Sequence, residues 1–274
     1  MLIGDAWRRA SQRIDRLDAR LLLEHVCACS HTDLIAHPER EMTAQQGAEF
    51  AVLLERREAG EPLAYLVGSA WFHGLEFAVT PAVLIPRPDT EVLVARAQAH
   101  AEKFTSARIV DLGTGSGIVA ILLAKLCPEA VVTAVDLSAE ALEVARANAR
   151  RHQVAIRFLQ GDWFSPLGDE RFDLIVSNPP YVAAGDSHLQ QNGLSFEPQM
   201  ALTDGVSGGD GLACIRVLIE GAPKHLLPHG GLLIEHGYDQ AVQTRQLLQN
   251  AGFTGVTSWR DDAAIERVSG GFLP

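Results

Sequence analysis

Through the first ~60 residues, apolar positions recur at helical spacing between polar ones. Arg20-Leu-Leu-Leu-Glu-His-Val is dense in apolar residues. Thr43-Ala-Gln-Gln has the form of a capping box and opens a helix expected to run to about Ala59. Phe50, Leu53 and Leu54 share one face of that helix and form its buried stripe. Pro38, Gly60 and Pro62 punctuate the region, so residues 1–63 read as a small all-helical N-terminal domain. The texture then changes. Ala64–Val67 and Trp71–Val79 carry β-branched and aromatic residues around Gly68 and Gly74, which predicts a β-hairpin linker over residues 64–85. Pro86-Arg87-Pro88 holds the chain extended, and Asp89 or Thr90 is placed to cap a helix reaching about Lys103.

From residue 107 the pattern alternates. Short β-rich runs at 108–112, 131–135, 155–159, 172–177 and 231–235 are separated by helical stretches at 116–126, 138–151, about 209–225 and from about Asp239. Residues 178–209 read as a polar loop, and 252–259 and 264–269 add final strands. Strands alternating with helices call for an α/β domain over residues 86–274: a doubly wound, mainly parallel sheet with helices on both faces.

Composition excludes several classes. At 47% hydrophobic and 21% charged residues in 274, the chain is neither disordered nor fibrous. Its longest apolar run, Ile118–Ala124, is far short of the roughly 18–20 residues that cross a bilayer. Met1-Leu-Ile-Gly-Asp leads into mixed charge rather than an apolar stretch, so a soluble cytoplasmic protein is expected. A net charge of −11 argues against a clamp on naked duplex, although it leaves room for a local basic patch. Four scattered cysteines outline no disulfide framework, in keeping with a reducing compartment. His25, Cys27, Cys29 and His31 alternate in sequence. On a helix they would divide between two faces, so no metal site is expected there.

Chemistry concentrates at two places. Asp111-Leu-Gly113-Thr114-Gly115-Ser116-Gly117 lies between a predicted strand and helix, where glycines permit a sharp turn and close approach of a ligand. Position 118 is Ile, so the phosphate-binding G-x-G-x-x-G fingerprint fails, and Gly-Lys-Ser/Thr is absent as well. Asp136 closes the next strand, 19 residues past Gly117, where a carboxylate can accept from both hydroxyls of a ribose. This combination fits S-adenosylmethionine; by itself it leaves a nicotinamide site or a purely structural turn open. Asp162-Trp163 after the third strand adds an aromatic plane for adenine and an acceptor for its amine, with plain packing as the alternative for the Trp.

Asn178-Pro179-Pro180-Tyr181 is the more specific signal. Two prolines have no N–H and end the strand's ladder, leaving nearby carbonyls free to accept. A planar NH2 group is a poor nucleophile because its lone pair is delocalised. The Asn178 side-chain oxygen and the Pro179 carbonyl would hold its two hydrogens, and Tyr181 would stack on its plane. Charge developing on nitrogen would then strengthen both hydrogen bonds in the transition state. Alignment rather than a general base would supply most of the acceleration. A proline strand terminator beside a packed Tyr is the plain structural reading.

Taken together, these segments resemble the peptide chain release factor glutamine methyltransferases (the PrmC or HemK family) over nearly the whole chain. The resemblance rests on Asp18-Ala-Arg-Leu-Leu-Leu-Glu-His, Gly60-Glu-Pro-Leu-Ala-Tyr-Leu-Val-Gly, Leu84-Ile-Pro-Arg-Pro-Asp-Thr-Glu91, the glycine loop, Ser177-Asn-Pro-Pro-Tyr181, Phe196-Glu-Pro and Leu233-Ile-Glu-His-Gly237. It implies a class I, Rossmann-like S-adenosylmethionine-dependent methyltransferase domain that methylates the glutamine of the Gly-Gly-Gln motif of class 1 release factors. S-adenosylhomocysteine is the implied product, and no metal is implied. Carried over, Gly113, Thr114, Gly115, Ser116, Gly117, Asp136, Trp163 and Asn178 hold the cofactor, and Asn178, Pro179, Pro180 and Tyr181 receive the glutamine. One position departs from the family pattern: Ala264 stands where glycine is expected, near a C-terminal turn.

The N-terminal domain would dock the protein substrate. Arg9, Arg13, Arg16 and Arg20 would share a face if their helix were continuous; Asp15 and Asp18 mark a break, and a solvated charged face is the simpler reading. Three alternatives to release-factor methylation stand at this point: glutamine methylation of a ribosomal protein, amino-methylation of a nucleic acid, and a non-catalytic cofactor sensor on the same fold. The acidic balance opposes the second, and an intact amine clamp opposes the third.

Overall fold

The computed structural model describes residues 1–191 and 193–274. Contacts divide it into two compact units, one of residues 1–69 with 190–196, the other of residues 70–189 with 197–274.

The first unit is helical: α1 (Ile3–Ala10), α2 (Arg16–Cys27), α3 (His31–Ala36), α4 (Ala44–Glu58) and α5 (Leu63–Val67). Helix α4 begins at the capping box read from the sequence, with the Thr43 hydroxyl accepting from Gln46 N and the Gln46 side chain accepting from Thr43 N. Phe50, Leu53 and Leu54 turn inward onto Ile3, Leu22, Leu23 and Leu34. Residues 64–67, expected to start the hairpin, instead form α5, with Tyr65 and Leu66 buried on one side and Gly68 left-handed at the exit. The arginine face is not continuous. Residues 11–15 interrupt it, Arg13 pairs with Glu58, Arg16 lies over Trp7, and Arg20 pairs with Glu24.

The hairpin is shorter than expected: β1 (Ser69–Phe72) and β2 (Leu75–Ala78) form a two-stranded sheet. Then come α6 (Thr90–Ala101), β3 (Arg108–Leu112), α7 (Ile118–Leu126), β4 (Val131–Asp136), α8 (Ala139–Arg151), β5 (Arg157–Gln160) and β6 (Phe172–Ser177). Asp89 precedes α6 in helical conformation without a side-chain cap, because its carboxylate pairs with Arg267 at 3.0 Å. The stretch 178–209 is more ordered than the polar loop its composition suggests. It contains β7 (Val182–Ala184), α9 (Gln199–Leu202) and β8 (Thr203–Ser207), with β7 and β8 paired in parallel. The chain closes with α10 (Ala213–His225), β9 (Leu226–Glu235), α11 (Ala241–Asn250), β10 (Thr254–Arg260) and β11 (Glu266–Phe272).

Seven strands form the central sheet in the order β10-β11-β9-β6-β3-β4-β5. All neighbours run parallel except at β11, which is antiparallel to both β9 and β10. Along β3 the side chains alternate between two cores. Ile109 faces a core with α6 and α7, whereas Val110 and Leu112 face one with α10 and α11. A strand covered on both faces favours apolar residues at most positions, as in β3, β4 and β6. From β3 the chain winds outward to β4 and β5, and from β6 it winds the other way. The order therefore reverses between β3 and β6, and a ligand crevice opens outside the carboxyl ends of strands at such a point. Among the described residues no helix is long and apolar enough to cross a membrane.

Candidate active site

Leu112 is the register partner of Ser177, so β3 and β6 end level with each other. The Ser177 hydroxyl, fully buried, donates to the Leu112 carbonyl at 2.6 Å and pins the two ends together. The glycine loop therefore leaves the sheet beside Asn178. Between them opens a cleft of about 480 Å³, lined by Gly113–Ser116, Asp136, Asp162, Trp163, Asn178 and Pro180 among others. Gly117, Pro179 and Tyr181 are outside that lining.

All three loop glycines have positive φ, but they serve different purposes. A side chain at Gly115 would meet nothing within 4 Å, because its missing Cβ points into open space. A Cβ at Gly117 would sit 3.1 Å from Ala145 and Ile121, so this glycine lets α7 pack on α8. At Gly113 the neighbour is the Trp163 ring, 3.4 Å away; Trp163 itself adopts a left-handed φ of 44°, a costly conformation for a bulky residue. The loop is fixed from beneath. Gly113 N and Thr114 N both donate to the Val135 carbonyl, and the Thr114 hydroxyl donates to Asp111 at 2.6 Å. Asn148, fully buried on α8, ties the loop to the hairpin: its Nδ2 donates to the Ser116 and Ala78 carbonyls and its Oδ1 accepts from Ala78 N.

Asp136 accepts from Gly115 N at 2.8 Å through one oxygen and from Ser138 N at 2.9 Å through the other. Asp136 lines the cleft, and a carboxylate can accept more hydrogen bonds than these two. Burial raises its pKa against the lowering by those backbone donors. Asp111, wholly buried beneath the loop, is pushed up to about 7, chiefly by desolvation and with a smaller contribution from Asp136.

On the opposite wall, Asn178 Nδ2 donates to the Thr90 hydroxyl at 3.2 Å. Its Oδ1 receives no side-chain or backbone donor among the described residues, and Asn178 lines the cleft. Tyr181 packs with the core on the α10 side of the sheet, and its hydroxyl is 3.5 Å from Glu235 Oε1. Desolvation and the neighbouring Glu235 raise its pKa. Glu235, also fully buried, is pushed up to about 7 by desolvation. The far rim is tied down by Glu197, which accepts from Ile85 N at 3.0 Å and pairs with Arg87. Thr90, Asp111, Asn148, Glu197 and Glu235 carry functional geometry without having been picked out as site residues. The Pro-Arg-Pro-Asp-Thr-Glu, Phe-Glu-Pro and Ile-Glu-His segments held three of them in plain view.

The wider comparisons agree with this architecture. Residues 88–194 match the methyltransferase small domain, and residues 6–68 match the PrmC N-terminal domain. A methyltransferase from Pyrococcus furiosus superposes with a TM-score of 0.53 at 19% identity, covering 84% of this chain and 98% of that one, a likeness of fold. The release factor glutamine methyltransferase of Bordetella pertussis is 50% identical over 265 residues, 96% of this chain and 97% of that protein. The one from Burkholderia pseudomallei is 48% identical over 268 residues, 95% and 93% of the two chains. With identity at that level along nearly its full length, this chain belongs to the release factor glutamine methyltransferase family.

Proposed function

We propose that this chain transfers a methyl group from S-adenosylmethionine to the side-chain amide nitrogen of the glutamine in the Gly-Gly-Gln motif of class 1 peptide chain release factors. The observation that carries this reading is the Asn178 carboxamide. It faces the glycine-loop cleft with an uncommitted acceptor oxygen, at a strand end that two prolines have stripped of donors.

The residues present suit the cofactor. Open space above Gly115 admits a ligand against the backbone, Asp136 lines the cleft at the end of the next strand as an acceptor for ribose hydroxyls, and Val135, Leu137, Ala141 and Trp163 give apolar walls. Asp162 stands at the rim as an acceptor for an exocyclic amine. When bound, S-adenosylmethionine supplies an electrophilic methyl and leaves as S-adenosylhomocysteine. The chain's own contribution is to align the amide. Asn178 Oδ1 and the Pro179 carbonyl each accept one amide N–H, with Pro180 in the wall beside it and Tyr181 packed behind that wall against the core. Both hydrogen bonds strengthen as positive charge builds on nitrogen, and the surplus proton then leaves to solvent.

In this reading residues 86–274 form the catalytic domain, the 64–85 linker joins it to residues 1–63, and the latter receive the release factor in the cytoplasm. The acidic balance favours a protein over a nucleic-acid substrate. The test is incubation with labelled S-adenosylmethionine and, separately, release factor, ribosomal protein and RNA. Label should appear on the release factor and vanish when its motif glutamine is changed. Label on either other substrate, or on none, rejects the assignment.

A further inference from the structure

Asn178-Pro179-Pro180-Tyr181 has little backbone freedom and few ways to be held. The rings lock φ at Pro179 and Pro180, and each proline also restricts ψ of the residue before it, Asn178 and Pro179. Neither proline has an N–H to donate to a neighbouring strand. A stiff segment of this kind takes its direction from its two ends. The amino end is fixed by β6, whose last residue, Ser177, donates to the Leu112 carbonyl at 2.6 Å. The carboxyl end runs into β7, which joins β8 in a two-stranded sheet of irregular register. Two strands by themselves are a weak support.

Further support comes from α11. Gln240, 7% exposed and immediately before that helix, donates through Nε2 to the Tyr181 carbonyl at 2.9 Å and to the Asp210 carbonyl at 3.1 Å. Its Oε1 accepts from Gly237 N at 2.8 Å. All three partners are backbone groups of fixed polarity, so only one orientation of the carboxamide satisfies them. Turned over, it would set its NH2 against an N–H and its oxygen against two carbonyls. Gly211 closes the arrangement from the other side. At a φ of 74°, a Cβ there would run into the Tyr181 oxygen and lie 2.9 Å from Gln240 Nε2, so a glycine lets the chain pass this close. Gln240 itself lies outside the cleft lining, whereas Asn178 and Pro180 belong to it.

We propose that Gln240 is a positioning residue for methyl transfer. By anchoring the Tyr181 carbonyl it fixes the far end of the proline segment, and with it the direction in which Asn178 and the Pro179 carbonyl meet the substrate amide. The proposal rests on the reading that this segment receives the glutamine. It separates from a purely structural role for Gln240, which would change stability and leave turnover per folded molecule alone.

The experiment compares Gln240→Met, which keeps the length and loses the carboxamide, with Thr244→Val. The buried Thr244 hydroxyl donates to the Gln240 carbonyl at 2.9 Å, so its loss weakens the same end of α11 and spares the bond to Tyr181. Circular dichroism establishes that each variant is folded. With release factor as substrate, Gln240→Met should lower kcat by about tenfold or more, since a displacement of about 1 Å at a reacting group costs up to about 100-fold. Its Kd for S-adenosylmethionine should stay within about threefold, and Thr244→Val should keep kcat within about twofold. If Gln240→Met does not fold, Gln240→Asn, too short to span Gly237 N and the Tyr181 carbonyl, takes its place with the same expected loss.

A second readout needs no turnover. Tyr181-Val182 is the only Tyr-Val pair in the chain, so protein labelled with 13C-carbonyl Tyr and 15N Val gives a single HNCO cross-peak. Its carbonyl shift should move upfield when the Gln240 donor is lost and stay in place in Thr244→Val. Wild-type kcat in the folded Gln240 variant, an equal loss in Thr244→Val, or an unmoved Tyr181 carbonyl would each overturn the anchor. If the wild type transfers no methyl to release factor, the functional reading fails by itself, and the carbonyl shift still decides whether the anchor exists.

Discussion

The two walls of the cleft are built by opposite means. The glycine-loop wall is backbone: Gly115 leaves out a side chain so that a ligand can approach, Gly113 makes room for the Trp163 ring, and carbonyl and amide groups do the positioning. The Asn178 wall is side chain: a carboxamide projected from a proline-blocked strand end and bonded from behind to the Thr90 hydroxyl of α6. A wall made by leaving atoms out depends on local sequence, and one made by aiming an atom depends on distant neighbours. Each wall nevertheless hides one carboxyl group, Asp111 or Glu235, at full burial.

The sharpest way to break this comparison is Asn178→Ala. If that wall acts by aiming one oxygen, the variant should lose at least about 100-fold in kcat, the range for removing one such preorganised group. Calorimetric titration should show binding of S-adenosylmethionine that is little changed, since the loop wall is untouched. Near-normal turnover would mean the side chain aims at nothing.

Next in size is a contrast inside the loop wall itself. Gly117→Ala places a Cβ 3.1 Å from Ala145 and Ile121 at a φ of 84°, and should destabilise the fold by about 2 kcal/mol from strain and overpacking together. Gly115→Ala meets only the left-handed backbone cost, about 1 kcal/mol, but intrudes on the open side and should weaken cofactor binding about tenfold. Denaturation midpoints and binding isotherms separate the two. If the binding losses were equal, both glycines would face the ligand.

The buried carboxyls give the comparison a pH axis. Both are pushed up to about 7 in the folded state, well above the ordinary carboxylate range. Between about pH 4 and 7 the folded chain therefore holds protons that the unfolded chain has released. Stability should fall as pH rises across that window, by at most about 1.4 kcal/mol per pH unit for each group, and level off above it. Asp111→Asn preserves an acceptor for the Thr114 hydroxyl and should remove one share of that slope. Urea denaturation of both proteins at pH 5, 6, 7 and 8 measures it, and parallel curves would exclude Asp111 as a contributor.

The same division explains what could be read from the sequence. The sheet, its helices and the glycine loop follow from local pattern, because apolar runs and glycines act where they stand. Asn178 announced itself for the same reason: two prolines end a strand on the spot. Residues 178–209 hid β7, α9 and β8, since a polar segment takes its order from distant partners such as the Glu197 contacts with Arg87 and Ile85 N. Ala64–Val67 looked like strand because Tyr, Leu and Val suit either state, and burial of Tyr65 and Leu66 decided for helix. Thr90 was visible as a letter, but its contact with Asn178 depends on α6 lying against β6.

The smallest effect lies outside both walls and serves as their control. Ala264 occupies a position where the family resemblance called for glycine, and it sits at a φ of 63°, in the left-handed region. The turn forms all the same: Ala264 N donates to the Asp261 carbonyl, Asp261 N to the Ile265 carbonyl, and Ile265 N to Asp261 Oδ1. Asp261 also grips Arg267 at 2.8 Å, so the turn is held from outside and can carry the strain of a Cβ. Ala264→Gly removes roughly 1–2 kcal/mol of that strain but gives back about 0.4–1 kcal/mol through the greater freedom of the unfolded chain. The net gain should be about 0.5–1 kcal/mol, a rise of about 1–4 °C in Tm for a domain of this size. Because Ala264 lines neither wall, kcat and cofactor affinity should not move. A stabilised variant with altered turnover would show that the turn is coupled to the cleft, and would make the β11 side part of the site.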